Sequence, residues 1–293
     1  MVNTMEYEGM VIRPPSEARS LILQATLGCS HNKCTFCPTY KDKRFRIKDE
    51  ERLFAEIDEV AAMRSWRRVF LADGDALIIP QPRLLRILDK LQSSIRGLER
   101  VGVYGNAKSI LKKSVDDLRA LRERGLGIIY FGLESGDDPT LEFICKGKTA
   151  EQMIEAGRRV KEAGIELSIT VLLGVSPGRG REHAINTGRV LTAIDPDYVG
   201  ALTVMVVPGT TLHDLQEQGE WTLPDEFAML EELALMLAHT EMTRGLFMSN
   251  HASNYVPLRV TMPGEKQQAL AMLRQIIATR NRDALKPEWL RAL

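Results

Sequence analysis

The sequence predicts an α/β fold in which β–α units follow one another around a parallel sheet. Three observations carry this. Short β-branched or apolar runs alternate with longer segments of helical period. Two of the helical segments stop on a glycine placed just before the next strand, Gly125 and Gly164. No Gly/Ser linker, repeat or low-complexity tract interrupts the alternation, so residues 20–243 read as one domain. Residues 1–19 form an N-terminal segment, and 244–293 a short extension of the same domain.

Taken in order, strands are expected at Ser20–Thr26, Arg68–Ala72, Val101–Tyr104, Gly127–Gly132, Glu166–Leu173 and Tyr198–Val206. Helices are expected at Asp49–Met63, Gln81–Ser94, Ser114–Arg124, Ala150–Ala163, Arg181–Ala193 and Pro224–Thr240, each with apolar residues at three- and four-residue steps. Met229 and Met236 lie on such faces and read as core. A strand at Leu246–Asn250, a polar stretch to Tyr255 and a helix from Gly264 to about Asn281 complete the chain.

The 293 residues are 44% hydrophobic, enough for a substantial core. Lys plus Arg and Asp plus Glu number 39 each, so no overall positive field draws the protein to nucleic acid or anionic lipid. The longest apolar runs, such as Ile165–Val175, stop well short of the roughly 20 residues that span a bilayer. Glu6 and Glu8 break any apolar core of a secretory signal. Of four cysteines, three lie between Cys29 and Cys37, the opposite of a disulfide framework, and a reducing cytoplasm is the expected compartment.

Cys29-Ser-His-Asn-Lys-Cys34-Thr-Phe-Cys37 follows the first strand, at the carboxyl-end face where ligands collect in a parallel barrel. Three thiolates on one loop hold three irons of a cubane and leave the fourth without a protein ligand. A zinc site completed by His31 or Cys145 is the competing reading, and a chance cluster the third. Zinc fits less well, because no second Cys-x-x-Cys or His-x-x-x-His is present. Cys145 itself reads as a partly buried small residue, and His31 as solvent-facing.

Over about residues 20–215 the chain resembles the radical S-adenosylmethionine (SAM) superfamily. Phe36 stands where that family packs an aromatic ring near the adenine, just before the last cysteine. The spacer between the first two cysteines has four residues, Ser30 to Lys33, where the family's common motif has three. The resemblance implies a partial (β/α)6 TIM-like barrel with a short C-terminal α/β extension, one [4Fe–4S] cluster on Cys29, Cys34 and Cys37, and bound SAM. Asp73-Gly74-Asp75, after the second strand, looks like a variant of the family's Gly-Gly-Glu motif that meets the SAM amino group. Its bland reading is a polar turn.

The end of the fourth strand, Gly132-Leu133-Glu134-Ser135-Gly136, followed by Lys146, is similar to the branch containing oxygen-independent coproporphyrinogen oxidases and Elongator-type radical domains. There the acid meets the ribose hydroxyls and the cation pairs with the SAM carboxylate, roles that fall on Glu134 and Lys146. A diol needs acceptors and a carboxylate a cation, so the residue types suit the task; the bland reading is an exposed salt bridge. Thr170, four before Gly174, stands where the family's ribose contact lies, with the apolar backbone around Leu172 along the adenine. Val207-Pro208-Gly209-Thr210 resembles the turn beside the adenine, and Asn106 either faces the cofactor or caps a helix.

His251, Ser253, Asn254 and Tyr255 lie in the densest polar cluster outside these elements and are the candidates to face substrate or help to cover SAM, with an ordinary Ser/Asn turn as the alternative. The expected activity is reductive cleavage of SAM to methionine and a 5′-deoxyadenosyl radical that takes hydrogen from a small molecule. A one-electron donor such as flavodoxin or ferredoxin is the implied partner. No second cysteine set remains for an auxiliary cluster, and the neutral charge weakens a nucleic-acid substrate. Three alternatives stay open: a radical SAM enzyme acting on RNA or protein, one transferring the 3-amino-3-carboxypropyl group of SAM, and a non-catalytic zinc or iron–sulfur module.

Overall fold

The computed structural model describes residues 7–292; Glu6, read above against a secretory signal, lies outside them. The strands are β1 (Leu21–Gln24), β2 (Thr26–Leu27), β3 (Arg46–Ile47), β4 (Arg68–Ala72), β5 (Arg100–Gly105), β6 (Leu126–Glu134), β7 (Glu166–Leu173), β8 (Tyr198–Thr203), β9 (Leu246–Met248) and β10 (Arg259–Thr261). The α-helices are α1 (Glu50–Met63), α2 (Gln81–Ser94), α3 (Ala107–Leu111), α4 (Val115–Glu123), α5 (Asp138–Phe143), α6 (Ala150–Glu162), α7 (Gly180–Ile194), α8 (Thr211–Glu217), α9 (Glu226–Ala238) and α10 (Lys266–Thr279). They divide into two compact units. One comprises residues 7–32, Thr39–Phe131 and Arg159–Leu167, the other Lys33–Pro38, Gly132–Arg158 and 168–292.

In the first unit β1, β4, β5 and the start of β6 pair in parallel, with Leu21 opposite Val69, Val69 opposite Val101 and Val103 opposite Ile129. Val69, Phe70, Leu71 and Ala72 are all fully buried, so β4 is covered on both faces and reads as a continuous apolar run. Two helices supply apolar stripes: Leu53, Ile57 and Val60 on α1, and Leu84, Ile87, Leu88 and Leu91 on α2. Each such side chain contributes about 1.5–3 kcal/mol by leaving water. Phe70, Tyr104 and Tyr130 stack edge to face, with Phe70 and Tyr104 centroids 5.0 Å apart.

In the second unit β7, β8 and β9 run parallel and β10 returns antiparallel to β9. Met229, Leu230, Leu233, Met236 and Leu237 of α9 are buried, the two methionines as expected. Helices α4 and α6 each end one residue before the expected end, ahead of Gly125 and Gly164. Gly164 closes a Schellman motif on α6, its N–H bonding Lys161 O and that of Ile165 bonding Val160 O.

Several boundaries differ from expectation for local reasons. β8 ends at Thr203, three residues early, where the neighbouring strand β7 also ends at Leu173, and the last bond to it runs from the Val204 N–H to Leu173 O (2.9 Å). β9 ends at Met248, and the polar stretch after it leads into β10, which the sequence reading omits. The short helices α3, α5 and α8 are likewise absent from that reading. The fold is α/β with mostly parallel strands, as expected.

Candidate active site

In the first unit the turn after β4 carries Asp73, Gly74 and Asp75. Asp73 and Asp75 are fully buried. Asp73 Oδ2 accepts from Gln24 Nε2 (3.0 Å), the Gly28 N–H (3.1 Å) and Lys43 Nζ (3.2 Å). Asp75 Oδ2 accepts from Asn106 Nδ2 at 2.8 Å and from the Ser30 hydroxyl. Among the described residues, Oδ1 of each aspartate is buried without a hydrogen-bond partner. Burial raises the Asp75 pKa from 3.8 to about 6, against the hydrogen bonds that lower it.

Gly74 between them has a steric reason. A Cβ there would lie 2.6 Å from Tyr40 Cε2 and 2.9 Å from Cys29 Cβ, so the acidic turn is packed against the first cysteine. Asn106 both caps and positions: its Oδ1 accepts from Ser109 N–H at the start of α3 while its amide N–H reaches Asp75. Gln24, Ser30 and Lys43 are part of this arrangement although none of them is a candidate site residue on sequence grounds. Lys43 is the missed signal, a cation nearly buried in a basic run.

In the second unit Cys34 and Cys37 are half-buried, like Cys29 in the first. The loop between them is fixed through Thr35, whose N–H bonds Ile144 O (3.1 Å) and whose carbonyl accepts from Leu212 N–H (2.9 Å). Phe36 is half-buried beside it. No disulfide forms, and among the described residues no group of three or more Cys, His, Asp or Glu side chains is arranged around a single ion. Ligands of three separate irons stand farther apart than ligands of one ion. His31 is half-buried, less open than expected.

Glu134 ends β6 and meets Lys146 Nζ at 3.0 Å, with both side chains about nine-tenths covered. Lys146 is delivered by a Schellman motif on α5, in which its N–H bonds Leu141 O and that of Cys145 bonds Glu142 O. Cys145 occupies the left-handed position of that motif, with φ 53°, and is exposed where partial burial was expected. The reason is the motif itself, which turns residue 145 outward past the helix end.

Behind Glu134 the chain is gripped by α7. His183 is fully buried, with Nδ1 2.8 Å from Ser135 Oγ and Nε2 2.8 Å from Leu172 O. Burial lowers its pKa, keeping it neutral. Glu232 Oε2 accepts from the Gly174 N–H at 2.7 Å, and burial raises its pKa from 4.5 to about 7. Thr170 is half-buried and Leu172 buried on β7. Pro208 is exposed in a turn closed by Thr210 N–H to Val207 O (3.2 Å), with Gly209 at φ 83°.

The structure places the four candidate substrate residues in one loop, mostly bound to the scaffold. Asn254 is buried, its Oδ1 accepting from Thr203 Oγ1 (2.9 Å) and its Nδ2 donating to Ala201 O (2.8 Å). Arg291 donates to Ser253 O at 2.7 Å and to the Tyr255 hydroxyl, its guanidinium 4.0 Å over the tyrosine ring. His251 Nδ1 accepts from the Ser253 N–H at 3.2 Å, leaving Nε2 protonated in the neutral ring.

The family model described as the radical SAM superfamily matches residues 23–190, more than half of the chain. The chain belongs to the radical SAM superfamily. It is therefore an enzyme of that superfamily, and its relatives are diverse. An uncharacterised protein of Methanocaldococcus jannaschii is 24% identical over 225 residues, covering 73% of this chain and 69% of that one. The heme chaperone HemW of Bacillus subtilis is 22% identical over 182 residues, covering 60% of this chain and 46% of its own. Among solved structures, the radical SAM methyltransferase TsrM from Kitasatospora setae superposes with a TM-score of 0.57 at 19% identity, over 68% of this chain and 39% of that one. The likeness to TsrM is one of fold. This radical SAM chain spans less than half the length of HemW and of TsrM.

Proposed function

We propose that the chain holds one [4Fe–4S] cluster through Cys29, Cys34 and Cys37, binds SAM beside it, and starts radical chemistry on a small molecule. The observation that carries this reading is the pair of buried carboxylate oxygens without partners among the described residues, Asp73 Oδ1 and Asp75 Oδ1, on a turn packed against Cys29 through Gly74. Unmet buried acceptors are costly, and an amino group, which keeps two N–H donors when its lone pair goes to iron, would satisfy both. The donor set also fits the cluster, since three thiolates leave one iron open for the amino and carboxylate groups of SAM.

When bound and reduced, the cluster supplies one electron that splits SAM into methionine and a 5′-deoxyadenosyl radical. The chain's own residues hold and orient. Asp73 and Asp75 take the amino group, and Lys43 and Asn106 hold their other oxygens in place. Lys146 turns from Glu134 to the SAM carboxylate, releasing Glu134 to accept from the ribose hydroxyls. Phe36, Thr170, Leu172 and Pro208 line the nucleoside.

In the candidate substrate loop, Ser253, Asn254 and Tyr255 keep the backbone rigid, and His251 offers an Nε2–H to an acceptor on the substrate. The balanced charge, 39 residues of each sign, suits a small molecule better than a polyanion. The electron comes from a flavodoxin or ferredoxin. Helices of the described residues include none long and apolar enough to cross a membrane.

Anaerobic reconstitution with iron and sulfide, followed by dithionite and SAM, tests the reading. Four irons per chain and release of 5′-deoxyadenosine are expected, and substituting any one of Cys29, Cys34 and Cys37 by Ala should abolish both. Methylthioadenosine as the product would refute the bond assignment, and a colourless zinc protein would refute the cluster.

A further inference from the structure

We infer that His183 is the positioning residue for the nucleoside half of SAM, holding Glu134 and the Leu172 carbonyl from behind without touching the ligand. This rests on the roles given above to Glu134 and the end of β7. The backbone at Glu134 is what demands such a residue. Glu134 has φ 64°, and the Ser135 N–H bonds Leu133 O at 2.9 Å, so the strand ends in a three-residue turn centred on a non-glycine residue in the left-handed region. A side chain held there persists only where its surroundings over-determine it.

The surroundings are one face of α7. Ser135, Gly136 and Asp137 follow Glu134, and each is tied to that helix: Ser135 to His183, the Gly136 N–H to Thr187 Oγ1 at 2.8 Å, and Asp137 Oδ1 to Asn186 Nδ2 at 2.8 Å. His183, Asn186 and Thr187 lie three and four positions apart, so they share a face. Gly136 permits the contact, because a Cβ there would stand 2.7 Å from Asn186 O.

The ring of His183 extends the clamp to β7. A carbonyl only accepts, so Nε2 carries the hydrogen toward Leu172 O and the neutral Nδ1 accepts from the Ser135 hydroxyl, which in turn accepts from the Asp137 N–H at 3.0 Å. The donors run one way, Asp137 to Ser135 to His183 to Leu172, an arrangement in which each bond polarises the next. Glu232 pins the adjoining Gly174 N–H, 3.9 Å from the same ring nitrogen. Fully buried and with both nitrogens engaged, His183 acts through Glu134 and Leu172 alone.

The test uses the full chain reconstituted with its cluster, comparing wild type with His183→Leu, which loses both bonds, and His183→Gln, whose amide N–H replaces the bond to Leu172. Iron and sulfide content and the dissociation constants of SAM, 5′-deoxyadenosine and methionine are measured. In His183→Leu, SAM and 5′-deoxyadenosine are expected to bind about tenfold more weakly, the equivalent of one relaxed strained residue, with methionine affinity and cluster content unchanged. His183→Gln should recover part of the loss. Unchanged nucleoside affinity in folded His183→Leu overturns the role, and so does an equal loss of methionine, which marks general loosening. Should that variant fail to fold, Thr187→Val, which removes the Gly136 bond alone, is read the same way. A wild-type chain that loads its cluster but binds no SAM overturns both this role and the proposed function.

Discussion

Replacing Glu232 by Gln isolates one buried proton. Glu232 is 4% exposed, and its Oε2 accepts from the Gly174 N–H, which a glutamine carbonyl also does. Burial raises its pKa from 4.5 to about 7, so between those values the folded chain holds a proton that the unfolded chain releases. The resulting stabilisation is complete below about pH 4.5 and is lost as pH rises through about 7. At 1.36 kcal/mol per tenfold change in proton affinity, its full size is about 3 kcal/mol.

Glutamine has no proton to lose. Relative to Glu232→Gln, wild type should therefore lose about 2–3 kcal/mol of unfolding free energy between pH 5 and pH 8. Urea unfolding of the cluster-free chain, followed by far-ultraviolet circular dichroism in anaerobic reducing buffer, measures the difference at each pH. Parallel stability curves for the two proteins would refute the assignment. Asp75, raised to about 6, is common to both and drops out of the comparison.

Cys145→Gly should stabilise the chain by about 1 kcal/mol, because glycine occupies the left-handed position of the α5 Schellman motif without the penalty of a Cβ; a higher melting temperature with unchanged iron content is the expected result. Gly74→Ala forces a methyl to within 2.6 Å of Tyr40 and 2.9 Å of Cys29. Overpacking of this kind costs about 1–3 kcal/mol, and because it displaces the acidic turn, SAM affinity should fall by about tenfold with reduced cluster loading, read by titration and iron content.

The long elements were legible because two signals agreed. α2 runs over Gln81–Ser94 as expected, with apolar residues on one face and Pro82 near its start, and β7 runs over Glu166–Leu173 as expected, with an apolar run between Gly164 and Gly174. α3, α5 and α8 were not legible. Each has seven residues or fewer, too short for a period to register, and only the caps Asn106, Asp137 and Thr210 mark their starts.

The candidate site divides in the same way. Asp73, Asp75, Glu134 and Lys146 stood out because charged residues at strand ends invite a reading. His183 did not, since a histidine on an amphipathic helix looks like any other until its partners are known. Glu232 left a better trace, a lone acid among Met229, Leu233 and Met236 on a face otherwise apolar.

Asp73 and Asp75 bear on the life of the protein before it meets its ligand. Two buried acids, each with an oxygen that lacks a partner among the described residues, would make the empty chain less stable than the loaded one if the proposed ligand meets those acceptors. Their cost is coupled to occupancy. In a cell short of iron or of SAM, the empty form would open more often, and chaperones and proteases would remove it first. The acidic turn proposed to grip the ligand would then also set how long an unfinished copy survives.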